Sequence, residues 1–97
     1  MKLHFTEQAA NQIAAINAYL AVRSPLGARN VQRAMQASLA QLANFPGLGR
    51  KQRTKDLRKL GVGRYPYNLY YSVDEQADEI VIISVRHTSR APHFFDA

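Results

Sequence analysis

Cysteine and tryptophan are both missing from the 97 residues, and carboxylates number only seven. Without cysteine there is no disulfide, no thiolate metal ligand and no thiol nucleophile. The few acids leave no candidate pair for glycoside chemistry, because Asp74, Glu75, Asp78 and Glu79 crowd into one short stretch. His4, His87 and His93 lack an H-E-x-x-H spacing, so no metal site is expected and no cofactor either. A G-x-S-x-G elbow is absent as well. Gly47-Leu48-Gly49-Arg50-Lys51 superficially looks like a phosphate loop, yet it follows a helical pattern and lacks Ser or Thr after the lysine. No apolar run exceeds five residues, so neither a signal peptide nor a transmembrane helix is expected and the chain reads as cytoplasmic.

What is present is apolar enough to fold: 46% of residues are hydrophobic and 21% charged. This length supports one domain over residues 1–97 with a modest core, whose stability a partner would raise. Thirteen Lys and Arg against seven acids give a net charge of +6, which favours an acidic partner, either nucleic acid or protein.

Hydrophobic periodicity sets the elements. Lys2-Leu3-His4-Phe5 alternates like a short strand. Thr6 is a natural N-cap, and Ala9, Ile13, Ile16 and Leu20 then follow at helical spacing until about Arg23. Ser24-Pro25 restarts the chain as cap and first helical residue. Val31, Met35, Leu39, Leu42 and Phe45 form one face of a second helix that Pro46-Gly47 ends. Residues 47–55 read as a surface loop and residues 57–62 as a short strand closed by glycines. Residues 65–73 read as a strand with Tyr67, Leu69, Tyr71 and Val73 on one face. After an acidic turn at 74–78, Ile80 to Val85 is almost wholly β-branched, as a central strand covered on both faces would be. The order β-α-α-β-β-β predicts an α+β domain, a helical hairpin packed on a small, mostly antiparallel sheet.

Chemistry is thinly supplied. Arg50, Lys51, Arg53, Lys55, Arg58, Lys59 and Arg64 concentrate seven of the thirteen cations between positions 50 and 64. Arg86 and Arg90 sit at or after the last strand. Together these form either a patch for phosphate or an acidic surface, or a solvated loop that maintains solubility. Among the tyrosines, alternation sends Tyr65, Tyr67 and Tyr71 to the core and leaves Tyr70 as the surface candidate. His87, between Arg86 and Arg90 in sequence, is either a general acid–base group or a plain strand-end histidine. Ile80 and Ile82 fall opposite Val81, Ile83 and Val85, and two helices cover only one face of a sheet. An apolar docking surface for a partner is therefore expected, on that open face or in the groove beside the hairpin.

These segments together resemble the RelE/ParE toxins of bacterial toxin–antitoxin pairs, and the ParE branch in particular. The resemblance is carried by Phe5-Thr6-Glu7-Gln8-Ala9, by Ser24-Pro25 and by Leu42-Ala43-Asn44-Phe45-Pro46-Gly47-Leu48-Gly49-Arg50. It continues in Leu57-Arg58-Lys59-Leu60, in Val62-Gly63-Arg64-Tyr65, in Tyr67-Asn68-Leu69-Tyr70-Tyr71-Ser72-Val73 and in Ile82-Ile83-Ser84-Val85-Arg86-His87. It implies the same β-α-α-β-β-β fold and two possible activities. RelE-like members cut messenger RNA on the ribosome, whereas ParE-like members poison DNA gyrase without a hydrolytic site. The nuclease branch keeps Arg where this chain has Asn68, Arg where it has Thr88 and a catalytic Tyr near Phe94, which has no hydroxyl to move a proton.

The resemblance thus implies a growth-inhibiting, plasmid-stabilising toxin that inhibits gyrase by binding. A small acidic ParD-like antitoxin would neutralise it in a hetero-oligomer, and direct nucleic-acid contact is possible. The opposing alternative is a ribosome-dependent endoribonuclease, and a plain nucleic-acid-binding module is a third, supported by charge alone. No catalytic residue is assigned. Target contact is expected from Arg58, Lys59, Arg64, Tyr70, Arg86, His87 and Arg90, with the basic residues converging on one side of the sheet. Antitoxin contact is expected from Ile80 and Ile82.

Overall fold

A computed structural model describes residues 1–54 and 56–89. The chain runs β1 (Lys2–Phe5), α1 (Glu7–Arg23), α2 (Pro25–Asn44), β2 (Arg50–Lys51), β3 (Arg58–Gly61), β4 (Tyr67–Asp74) and β5 (Glu79–His87). The five strands form one sheet in the order β1-β5-β4-β3-β2, parallel between β1 and β5 and antiparallel elsewhere. No helix among the described residues is long and apolar enough to cross a membrane.

Side-chain caps fix both helix starts. The Thr6 hydroxyl oxygen accepts from the Ala9 N–H at 3.0 Å, and Ser24 Oγ accepts from the Gly27 N–H at 3.0 Å. Both helices pack on the same face of the sheet. Ala9 of α1 and Val31, Met35 and Leu42 of α2 meet Leu69, Tyr71, Ile80, Ile82 and Val85 in the core.

A β-bulge breaks the alternation of β5. Tyr70 pairs with Ser84 and Tyr71 with Ile82, so Ile83 is the extra residue. The slip changes phase by one and puts Val85 on the same side as Ile80 and Ile82, beneath the helices. Helix α1 holds this irregularity. The Thr6 hydroxyl donates to the Ile83 carbonyl at 2.8 Å, and Gln12 Oε1 accepts from the Val85 N–H at 2.8 Å and from Ser84 Oγ at 3.1 Å. A backbone donor that the bulge would leave unpaired is thereby satisfied.

Three expectations change as a result. Ile80 and Ile82 are 0% exposed, core residues that no partner can reach without unfolding the chain. Strict alternation set them opposite Val85 because it could not include the bulge. Strand β5 is covered by helices on one face alone, and Val81 and Ile83 on the other are half-buried. The stretch after α2 is more than a loop: Gly49 is buried, and Arg50 and Lys51 pair with Lys59 and Arg58.

Candidate functional site

Residues opposite one another on neighbouring strands share a face, as do alternate residues along one strand. The register therefore sorts the basic cluster. Arg50, Lys59 and Tyr70 form one row across β2, β3 and β4, and Gly61, Asn68 and Arg86 form the next across β3, β4 and β5. Both rows lie on the face away from the helices, since Leu69, Tyr71 and Val85 occupy the other. Arg50 is exposed, while Lys59, Asn68 and Arg86 are half-buried. Lys59 and Arg86 thus share a face as expected, and strand pairing adds Arg50 and Asn68. That Arg50 joins this face was not legible in the sequence, because the two-residue strand β2 leaves no periodic signal.

Arg58 belongs to the opposite face, in register with Tyr71. Its Nη1 donates to the carbonyls of Gly49 at 2.7 Å and Gly47 at 3.2 Å. Tyr71 completes the fastening, accepting from the Gly49 N–H at 2.7 Å and donating to the Pro46 carbonyl at 2.8 Å. Burial raises the Tyr71 pKa above its ordinary 10.0, outweighing the hydrogen bond from Gly49 and the nearby Arg58 charge, which lower it. The approach is so close that a Cβ at Gly49 would lie 2.6 Å from the Tyr71 hydroxyl. Arg58 and Tyr71 together fix the chain leaving α2 and hence the position of β2.

The remaining expected residues scatter. Tyr70, in register with Lys59 and Ser84, is 4% exposed, so it is not the surface tyrosine that alternation suggested. Arg64 lies in the β3–β4 turn, its guanidinium 5.9 Å from the Tyr65 ring centre. His87 follows the alternation to the helix side, away from Arg86. Its ring meets Tyr67 edge-on at 5.5 Å, and its Nδ1 accepts from the Ser89 N–H at 3.1 Å. It lines a cleft of about 520 Å³ with Gln12, Tyr19, Tyr67 and its neighbour Arg86. Arg90 and Phe94 lie outside the described residues.

The apolar surface lies elsewhere on the molecule. Phe5, Ile13, Ile16, Leu20, Val31 and Met35 line a groove of about 310 Å³ along the helical hairpin. Of the two places expected for a partner, the groove is lined mostly by apolar side chains, while the helix-free face mixes Val81 and Ile83 with charged and polar residues.

A pair of helices on a five-stranded mixed sheet, with this chain order, is the architecture of the RelE/ParE toxins. A structure described as the chromosomal ParDE toxin–antitoxin system from P. aeruginosa superposes with a TM-score of 0.75 at 24% identity, covering 90% of this chain and 95% of that one. The isolated E. coli RelE toxin gives 0.65 at 20% identity, with 98% of this chain and 92% of that one covered. The intact E. coli RelBE toxin–antitoxin complex also gives 0.65, at 21% identity, covering 92% of this chain and 98% of that one. At such identities the likeness establishes the fold. No functionally curated protein matches the sequence. Residues 3–92 match the family described as the ParE toxin of type II toxin-antitoxin system, parDE, and the chain belongs to that family.

Proposed function

We propose that this toxin inhibits DNA gyrase by binding it, rather than by cutting messenger RNA. The observation that carries this is the content of the basic face. Asn68 stands directly across from Arg86, where the resemblance to the nuclease branch implies a second arginine. Among the described residues, the imidazole of His87 packs edge-on against Tyr67, which belongs to the helix-side core. A face of cations and an amide is suited to holding an anionic surface, and its described residues supply little for phosphodiester chemistry.

The partner that neutralises the toxin is, in this reading, a small acidic antitoxin of the ParD kind. Related structures contain toxin–antitoxin complexes. The groove of Phe5, Ile13, Ile16 and Leu20 offers such a chain apolar surface, and the net charge of +6 adds attraction.

Expression in a sensitive bacterium separates the two activities. Gyrase inhibition produces filamentation and a DNA-damage response while protein synthesis continues. Immediate loss of translation without DNA damage would instead favour the nuclease.

A further inference from the structure

Charge is unevenly spread over the helix-free face, with Lys2 in register with Glu79 at its β1 edge. Arg50, Lys59 and Arg86 occupy one half, and Asp74 and Glu79, paired across β4 and β5, lie on the other. Asp74 is four residues beyond Tyr70 along β4, or about 14 Å at about 3.4 Å per residue. That exceeds the screening length of about 8 Å at physiological salt, so Asp74 and Glu79 do little to neutralise Arg50 and Lys59. Asp56 lies in the turn between β2 and β3, where its φ of 61° sets it apart from the strand rows.

We propose that this cationic half contacts the phosphate backbone of duplex DNA without reading its sequence. The inference rests on the gyrase reading above and adds to it: the toxin engages the nucleic acid on which that enzyme acts as well as the enzyme.

Three features favour a duplex backbone over the other anionic partners. A protein interface is anchored by large apolar or aromatic side chains at its centre. Among the described residues of the two rows the large aromatic is Tyr70, which is 4% exposed, and its neighbours there are Gly61, Asn68, Ser84 and cations. Single strands, RNA included, are held by stacking their bases on exposed aromatics, and the same burial removes Tyr70 as a platform. The cations are also spaced for separate phosphates. Arg50 and Lys59 are one strand apart, about 4.8 Å, while Lys59 and Arg86 are two strands and two residues apart, roughly 12 Å. Asn68 adds an amide that donates to a phosphate oxygen, a contact that positions without specifying.

The test is fluorescence anisotropy with a labelled duplex of arbitrary sequence, titrated with the purified chain over a salt series. Three phosphate contacts predict an affinity falling about forty-fold between 50 and 200 mM salt, and two contacts about twelve-fold. Arg50→Gln and Lys59→Gln should each reduce the slope of log affinity against log salt by about 0.9, and Arg86→Gln likewise if circular dichroism shows it folded. Arg33→Gln, an exposed position on α2, removes the same charge and should leave the slope unchanged. Equal loss in Arg33→Gln and in the face variants would overturn the proposal, as would tighter binding to single-stranded RNA. Loss of gyrase inhibition in the Arg50 and Lys59 variants with an unchanged DNA slope would show that the face meets protein, and would overturn it too. A wild-type chain that binds DNA through this face yet never inhibits supercoiling would defeat the gyrase reading and leave the DNA contact standing.

Discussion

The Tyr71 hydroxyl links two backbone groups of the loop after α2, and its raised pKa gives that link a pH dependence. The folded chain favours the neutral phenol, so the contribution is complete below the unfolded value of 10.0 and is lost as pH rises through the higher native value. Tyr71→Phe leaves the Gly49 N–H and Pro46 carbonyl without this partner, at a cost of about 1–3 kcal/mol near neutral pH. Denaturant melts of both proteins should show that gap, and show it narrowing above pH 10.0, because phenylalanine has no proton to lose. A gap that stays constant would contradict the assignment. Ile82 makes a simpler case at this scale. It is 0% exposed, so Ile82→Lys buries an unpaired charge in a protein whose whole stability is of the order of 5–15 kcal/mol. The variant should lack a cooperative thermal transition by circular dichroism. A folded variant would mean that the residue is accessible.

At the level of elements, strand β5 depends on helix α1 for its shape. Gln12 accepts from the Val85 N–H at the bulge, and Thr6 ties the start of the helix to Ile83. Gln12→Ala should therefore cost about 1–3 kcal/mol, or roughly 4–24 °C in melting temperature for a domain of this size. A neutral effect in a thermal melt would show that water replaces the amide at no cost. These contacts also explain which elements were legible in the sequence. Both helices announced themselves through Thr6, Ser24-Pro25 and Pro46-Gly47, whose capping and breaking effects are local. The mostly antiparallel character of the sheet was legible because β3, β4 and β5 are joined by short turns. The bulge was invisible, since it is set by a hydrogen bond from the Val85 N–H to Gln12, 73 positions away. Strand β2 was invisible too, because two residues carry no period. The candidate site was legible as a concentration of cations and not as an arrangement. Charge alone does not distinguish Lys59, which faces away from the helices, from Arg58, which bonds the carbonyls of Gly47 and Gly49.

Across the whole molecule, apolar and cationic surfaces occupy different places. The groove along the hairpin is lined by Phe5, Ile13, Ile16 and Leu20, whereas Arg50, Lys59 and Arg86 lie on the far side of the sheet. One partner can therefore bind the groove while another meets the cations, and an antitoxin long enough to reach both would block the target. Binding to the folded state alone stabilises it by about 2.7 kcal/mol at a hundredfold excess over Kd, an expected rise of about 10–20 °C in melting temperature. Phe5 lines the groove and is 42% exposed, so Phe5→Glu should diminish that rise while leaving the free toxin folded. An unchanged rise would place the antitoxin elsewhere. The central claim, inhibition of gyrase without RNA cleavage, is tested most directly by presenting the purified toxin with each target in turn. Wild-type protein should block gyrase supercoiling of relaxed plasmid, should lose that effect with Arg50→Gln and Lys59→Gln combined, and should leave ribosome-bound messenger intact. Cleavage of the messenger with supercoiling unaffected would contradict the account.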